Sequence, residues 1–180
     1  MFAASIREGI ELRLLEERNA RVLFATVERE RQHLREWFSW VDATGTEDDS
    51  VAFIRSSLEQ FASNNGFAAG IWCGERLAGT VRTHRIDWMN RCAELGYWLA
   101  REHEGKGIAT DACRAVTTHC FHELDLNRVE IRCAAGNLKS AAIPKRLAFT
   151  FEATLREAHF VNGRFHDMLV FSMLKRDWKA

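Results

Sequence analysis

Short apolar runs and amphipathic stretches alternate along this chain, and their two periods separate strands from helices. Residues 10–15 alternate weakly and predict a first strand. A helix follows over about 19–38, with Asn19 as its N-cap and Leu23, Val27, Leu34, Trp37 and Phe38 near one face. After a polar loop at 42–49, Val51, Ile54, Leu58 and Phe61 recur at helical spacing and predict a second helix over about 48–64. Asn65-Gly66 ends that pattern, and 67–73 and 77–85 predict a hairpin turning at Gly74-Glu75. A strand at 92–100, a helix at 106–124, a strand at 128–133 and a helix at 138–147 come next. Two last strands, 151–161 and 165–175, flank Asn162-Gly163. The strand-helix-strand unit implies a locally parallel sheet and a mixed α/β fold.

Composition narrows this picture. A chain of 180 residues, 47% hydrophobic and with one proline, suits one domain over 1–180 with a sizeable core. No repeat, linker or low-complexity tract divides it. Lys plus Arg equal Asp plus Glu at 25 each, so no overall field draws the molecule to nucleic acid or to an anionic membrane. The mixed-sign run Glu28-Arg29-Glu30-Arg31 reads as a solvated helix face. The first residues lack the apolar run of a signal peptide, and no stretch approaches the roughly 18 apolar residues of a membrane span. A cytoplasmic location is expected. Five cysteines without a C-x-x-C pair suit buried thiols rather than a disulfide framework. Cys113, His119, Cys120 and His122 share one predicted helix without the spacing of a closed zinc site, so no metal is expected.

The most informative segment is Arg101-Glu-His-Glu-Gly-Lys-Gly-Ile-Ala109, between a strand pattern and a helix pattern. Gly105 and Gly107 let backbone approach a ligand closely, and the free N–H groups opening the next helix favour phosphate. A dinucleotide fingerprint fails because Thr110 stands where the third glycine belongs, and no Walker Gly-Lys-Ser/Thr exists. Glu104-x-x-Gly107-x-Ala109 resembles instead the acyl-CoA signature of the GNAT N-acetyltransferases, usually Gln/Arg-x-x-Gly-x-Gly/Ala, with Glu104 departing from it. Asn137-Leu138-Lys139-Ser140 and Lys145-Arg146-Leu147-Ala148-Phe149 are similar to that family's Asn-x-x-Ser element and terminal Gly-Phe. Together with Glu94 to Tyr97 and Val161-Asn162-Gly163…His166-Asp167, they resemble most the Rim-type branch of ribosomal-protein N-terminal acetyltransferases.

The resemblance implies a mixed, centrally splayed sheet of about seven strands flanked by about four helices. It implies acetyl-CoA as donor, with CoA as product, and direct attack of the amine without a cysteine nucleophile. The cofactor would lie on the backbone of Trp98, Leu99 and Ala100, on the loop Glu104, Gly105, Lys106, Gly107, Ile108 and Ala109, and on Asn137 and Ser140. A carboxylate beside a pyrophosphate is unfavourable, so the Glu104 side chain is expected to point away. Lys106 then has three readings: partner of Glu104, phosphate ligand, or solvated surface.

Acyl transfer to an amine needs a proton acceptor and a stabilised leaving thiolate. Many GNAT enzymes place a tyrosine seven residues after the Asn of Asn-x-x-Ser; here that position is Pro144. Ser140, matching a Rim-type serine, is the candidate donor, with helix capping as its alternative. Pro144 also removes the N–H that would bond the Ser140 carbonyl, leaving it open to pantetheine or water. Glu94 and His159 are two candidates for the base. Glu94 shares a strand face with Gly96 and Trp98, and His159 stands where some Rim-type members carry a catalytic Glu. Ion pairing and surface placement are their ordinary alternatives.

The favoured acceptor is a protein or peptide N-terminus, a ribosomal protein among the possibilities. Trp37, Trp40 and Trp88 are candidates for the acceptor wall, with core packing as the alternative. A homodimer completing the cleft would bury the aromatic cluster near Trp37. Small amines such as polyamines or aminoglycosides, and an acyl-CoA sensor without turnover, are the competing readings.

Overall fold

A computed structural model describes residues 3–84 and 86–179. Its centre is one eight-stranded sheet in the order β1-β2-β3-β4-β5-β6-β8-β7, with every neighbouring pair antiparallel except β5 and β6. The strands are β1 (Ala3–Arg7), β2 (Ile10–Leu14), β3 (Phe67–Cys73), β4 (Arg76–Thr83), β5 (Cys92–Leu99), β6 (Arg128–Ala134), β7 (Thr150–Val161) and β8 (Arg164–Leu174). The helices are α1 (Ala20–Leu34), α2 (Trp40–Ala43), α3 (Glu47–Ala62), α4 (Ile108–His122) and α5 (Leu138–Arg146). The mixed α/β class is therefore present, with one strand and one short helix beyond the count expected. Arg85, the expected end of the second hairpin strand, lies outside the described residues, as do Met1, Phe2 and Ala180.

Helices cover both faces of the sheet, so β3 is apolar at almost every position rather than alternating. Phe67, Ala69 and Ile71 join the core against α4, which also holds Leu95, Val116, Phe121 and Ile131. Ala68 and Trp72 join a second core against α1 and α3, with Leu23, Val27, Ile54 and Trp98. Phe121 is fully buried, which by area alone contributes about 2–3 kcal/mol.

Two boundaries differ from the periodicity for tertiary reasons. The apolar stripe of α1 continues to Phe38, but the helix stops at Leu34. Beyond it the Arg35 carbonyl accepts from Asn162 and the Trp37 carbonyl from His159, both on the β7–β8 hairpin. Arg31 meanwhile donates to the Val41 and Thr44 carbonyls and folds α2 back along α1. Asn19 precedes α1 without capping it: its side-chain oxygen accepts the Glu16 N–H of the preceding turn.

The pairing of β5 with β6 runs from Cys92↔Arg128 to Leu95↔Ile131 and stops. Beyond that point β5 follows β4 and β6 follows β8, so the two parallel strands part. The central opening sits at the C-terminal end of β5, where the chain turns into α4.

Candidate active site

A cleft of about 1260 Å3 enters this opening, bordered by β5, the 104–111 loop and the start of α5. Gly107 precedes α4 at φ 78°, a conformation glycine adopts without the Cβ penalty. Having no side chain, it leaves the first-turn amides of α4 uncapped, and Gly105, Gly107, Ile108, Ala109 and Thr110 all line the cleft. Unpaired N–H groups at the positive end of a helix form an anion site.

The side chains around that loop are arranged differently from expectation. Lys106 does not pair with Glu104 or enter the cleft: its Nζ donates to the Glu102 carbonyl at 2.7 Å. Glu104 lines the cleft and is held by Lys139 at 2.5 Å and His33 at 2.9 Å. Burial acts to raise its carboxyl, but Lys139 and His33 outweigh that and keep it below the ordinary carboxylate value. Arg7, on the unanticipated strand β1, brings a cation to this loop. Its guanidinium donates to the Lys106 carbonyl at 3.1 Å, pairs with Asp111 at 3.2 Å and lines the cleft. No local signal pointed to Arg7, because its contacts lie about a hundred positions away.

Backbone pairing sorts the β5 residues. Ala100 donates to the Ala78 carbonyl and accepts from the His103 N–H, so both of its polar groups are spent. Alternation turns the Trp98 backbone toward β4 as well, and leaves Tyr97 and Leu99 facing the opening. The expectation that Trp98 and Ala100 hold a ligand through their backbone is corrected accordingly; Leu99 remains. The Trp98 indole turns to the other sheet face, 6.4 Å from Trp40.

Across the cleft, Asn137 is the N-cap of α5, accepting the Ser140 N–H at 3.0 Å. The Asn-x-x-Ser element is thus a cap and the third helical residue. Ser140 does no capping itself: its hydroxyl donates to the Tyr97 hydroxyl at 3.2 Å, and Tyr97 donates to the Ser140 carbonyl at 3.0 Å. Pro144 lies inside α5 and cannot supply the N–H that carbonyl lacks. Tyr97 supplies the proton instead, so the carbonyl expected to be open is occupied. Burial pushes the Tyr97 phenol well above its usual pKa and so keeps it neutral. The Cys133 thiol beside Ser140 is pushed up to about 11 by burial, which the Ser140 hydroxyl partly offsets.

The two candidate bases lie outside the cleft lining. Glu94 faces Arg132 at 3.5 Å; burial raises its carboxyl and Arg132 partly opposes this. His159 donates from Nε2 to the Trp37 carbonyl at 2.9 Å, since a carbonyl can only accept. Of the three tryptophans, Trp37 lines this cleft and Trp40 a separate cavity, while Trp88 lines neither and donates to the Asn64 carbonyl.

The model of the acetyltransferase (GNAT) domain matches residues 10–150. The chain belongs to the GNAT acetyltransferase family. It is 41% identical, over all of its length and 99% of the relative's, to YdaF of Bacillus subtilis (strain 168), named as a candidate ribosomal N-acetyltransferase. It is 25% identical to the ribosomal-protein-serine acetyltransferase of Escherichia coli (strain K12), over 94% of each chain. Among solved structures it resembles the microcin C7 self-immunity acetyltransferase MccE in complex with acetyl-CoA and AMP, with TM-score 0.89, 27% identity and 94% of each chain covered. This GNAT enzyme has a parted pair of central strands, carries Pro144 inside α5 and brings Tyr97 to the same helix from β5. No helix of its described residues is long and apolar enough to cross a membrane.

Proposed function

We propose that the protein, as one cytoplasmic domain, transfers the acetyl group of acetyl-CoA directly to the N-terminal α-amine of a protein, a ribosomal protein being the favoured acceptor. The observation that carries the donor half is the uncapped start of α4 facing Ser140 across the parted strands. The protein-acceptor half is supported by the two relatives with ribosomal names.

The bound donor supplies a thioester already activated toward a neutral amine. The amides of the 105–110 loop and the Arg7 guanidinium hold its phosphates, and the Leu99 backbone and Asn137 border its arm. Ser140 turns the hydroxyl that rests on Tyr97 toward the departing thiolate and hydrogen-bonds it while keeping its own proton, and Tyr97 holds the Ser140 carbonyl in position. Glu94 takes the proton of the acceptor amine through water, which its raised pKa suits. His159 is the second choice, because its Nε2–H is committed to Trp37 and only Nδ1 could accept.

The test is release of free CoA thiol with N-terminal peptides, polyamines and amino sugars against a control without acceptor. Turnover with peptides is expected. Ser140→Ala and Glu94→Gln should lower kcat with CoA affinity unchanged, and Glu94→Gln should abolish an acidic limb of the pH–rate profile that lies above the ordinary carboxylate pKa. Loss of that limb in His159→Gln instead would reassign the base. Small-amine turnover alone would overturn the acceptor, and CoA binding without turnover would make the protein a sensor.

A further inference from the structure

A second cavity, of about 380 Å3, lies on the opposite face of β4 and β5, roofed by α1, α2 and α3. Trp98 borders both this cavity and the donor cleft. Its walls are mainly apolar, with Val27, Trp40, Phe53 and Trp98 facing inward. Such a volume falls in the range of small-ligand sites.

Two charged residues line it, and only one has unmet demand. Asp49 is spent on the start of α3, accepting from Gly45 N at 2.9 Å, Thr46 N at 2.8 Å and the Thr46 hydroxyl at 2.9 Å. Arg82, by contrast, has a buried Nε with no hydrogen-bond partner among the described residues. Its guanidinium lies 5.6 Å over the Phe53 ring, which offers a π face but no lone pair. Burial lowers its pKa, Glu94 opposing, which shows how poorly its charge is solvated. Glu94 itself pairs with Arg132 and is not part of the lining. An unpaired buried donor on a cationic group costs free energy until an oxygen meets it. A polyamine would bring a second cation there and supply no acceptor.

We propose that this cavity receives the first residues of the acceptor, an apolar side chain filling it while Arg82 donates to a carboxylate or amide oxygen, so that the site selects amino-acid-like and peptide amines over polyamines. This rests on the acetyltransferase reading and narrows its acceptor. Arg82 is a specificity residue in this scheme and takes no part in proton transfer.

The test is calorimetric binding to the CoA-saturated protein of three probes: a tripeptide amide with apolar first residues, the free amino acid of its first residue, and spermidine. Arg82→Met should weaken the tripeptide about tenfold, the scale of one charge-assisted hydrogen bond, and should narrow its advantage over spermidine. Ala52→Phe, at an exposed position on the rim, should block the tripeptide without touching Arg82. CoA affinity should hold in both variants. A gain for the free amino acid over the amide would assign the oxygen to a carboxylate, the reverse to a peptide carbonyl, and either supports the site. Unchanged tripeptide binding in both variants, no tripeptide binding at all, or a wild-type preference for spermidine would overturn it. Arg82-dependent binding without any acetyl transfer would preserve this site while removing the acetyl-transfer reading.

Discussion

Tyr97 and Pro144 should be energetically coupled through the Ser140 carbonyl. Tyr97→Phe deletes a hydroxyl that donates to this carbonyl at 3.0 Å and accepts from the Ser140 hydroxyl at 3.2 Å. Losing a hydrogen bond costs about 1 kcal/mol, and a buried acceptor left without a partner adds about 1–3 kcal/mol. Ser140 is only partly buried, which places the expected loss at the lower end, about 2 kcal/mol. Pro144→Ala restores the N–H four residues after Ser140, and with it the helical bond to the same carbonyl. In that background Tyr97→Phe should cost about 1 kcal/mol or less, a coupling of about 1 kcal/mol. Urea unfolding of the four proteins, wild type, two singles and the double, reads this from the midpoints at constant m. Equal costs of Tyr97→Phe in both backgrounds would refute the reasoning, since the carbonyl would then not be what joins the two residues.

Three further outcomes follow from particular contacts. Arg7→Gln should weaken CoA several-fold at low ionic strength and by less at high salt, measured by calorimetry, because a fixed cation beside the phosphate loop is removed. Ala148→Gly should stabilise the protein by about 1 kcal/mol in thermal unfolding. Ala148 is exposed at φ 58° after α5, in a Schellman ending where Ala148 N bonds the Lys145 carbonyl and Phe149 N the Pro144 carbonyl. Glu152 is lowered from 4.5 to about 2 by hydrogen bonds from Arg128 and then Ser172. Because its folded pKa is the lower one, its contribution is complete above about 4.5 and is lost as pH falls toward 2. With a side chain 37% exposed, screening reduces this to about 1 kcal/mol. Glu152→Gln should therefore flatten the pH dependence of stability across that window and change little above it.

Local chemistry carried the fold class and most element boundaries. The turn at Gly74-Glu75 and the free amides opening α4 after Gly107 are each settled by residues within a few positions, so their spacing in the chain was enough to read them, whereas the capping read as an alternative for Ser140 belongs to Asn137. A family resemblance carried the splay of the sheet, which periodicity could not, since strand patterns do not state where pairing ends. Tertiary structure decided the rest. It stopped α1 at Leu34 because the β7–β8 hairpin takes the Arg35 and Trp37 carbonyls. It put Arg7 beside the loop that opens α4, gave Glu104 to Lys139 and His33, and left Arg82 Nε without a hydrogen-bond partner among the described residues. Pro144 shows the division most clearly: the sequence alone determined that the Ser140 carbonyl would lose its helical N–H, because that follows from bonding four residues along a helix. Only the folded sheet could bring Tyr97, 43 positions away in the chain, to supply the missing donor.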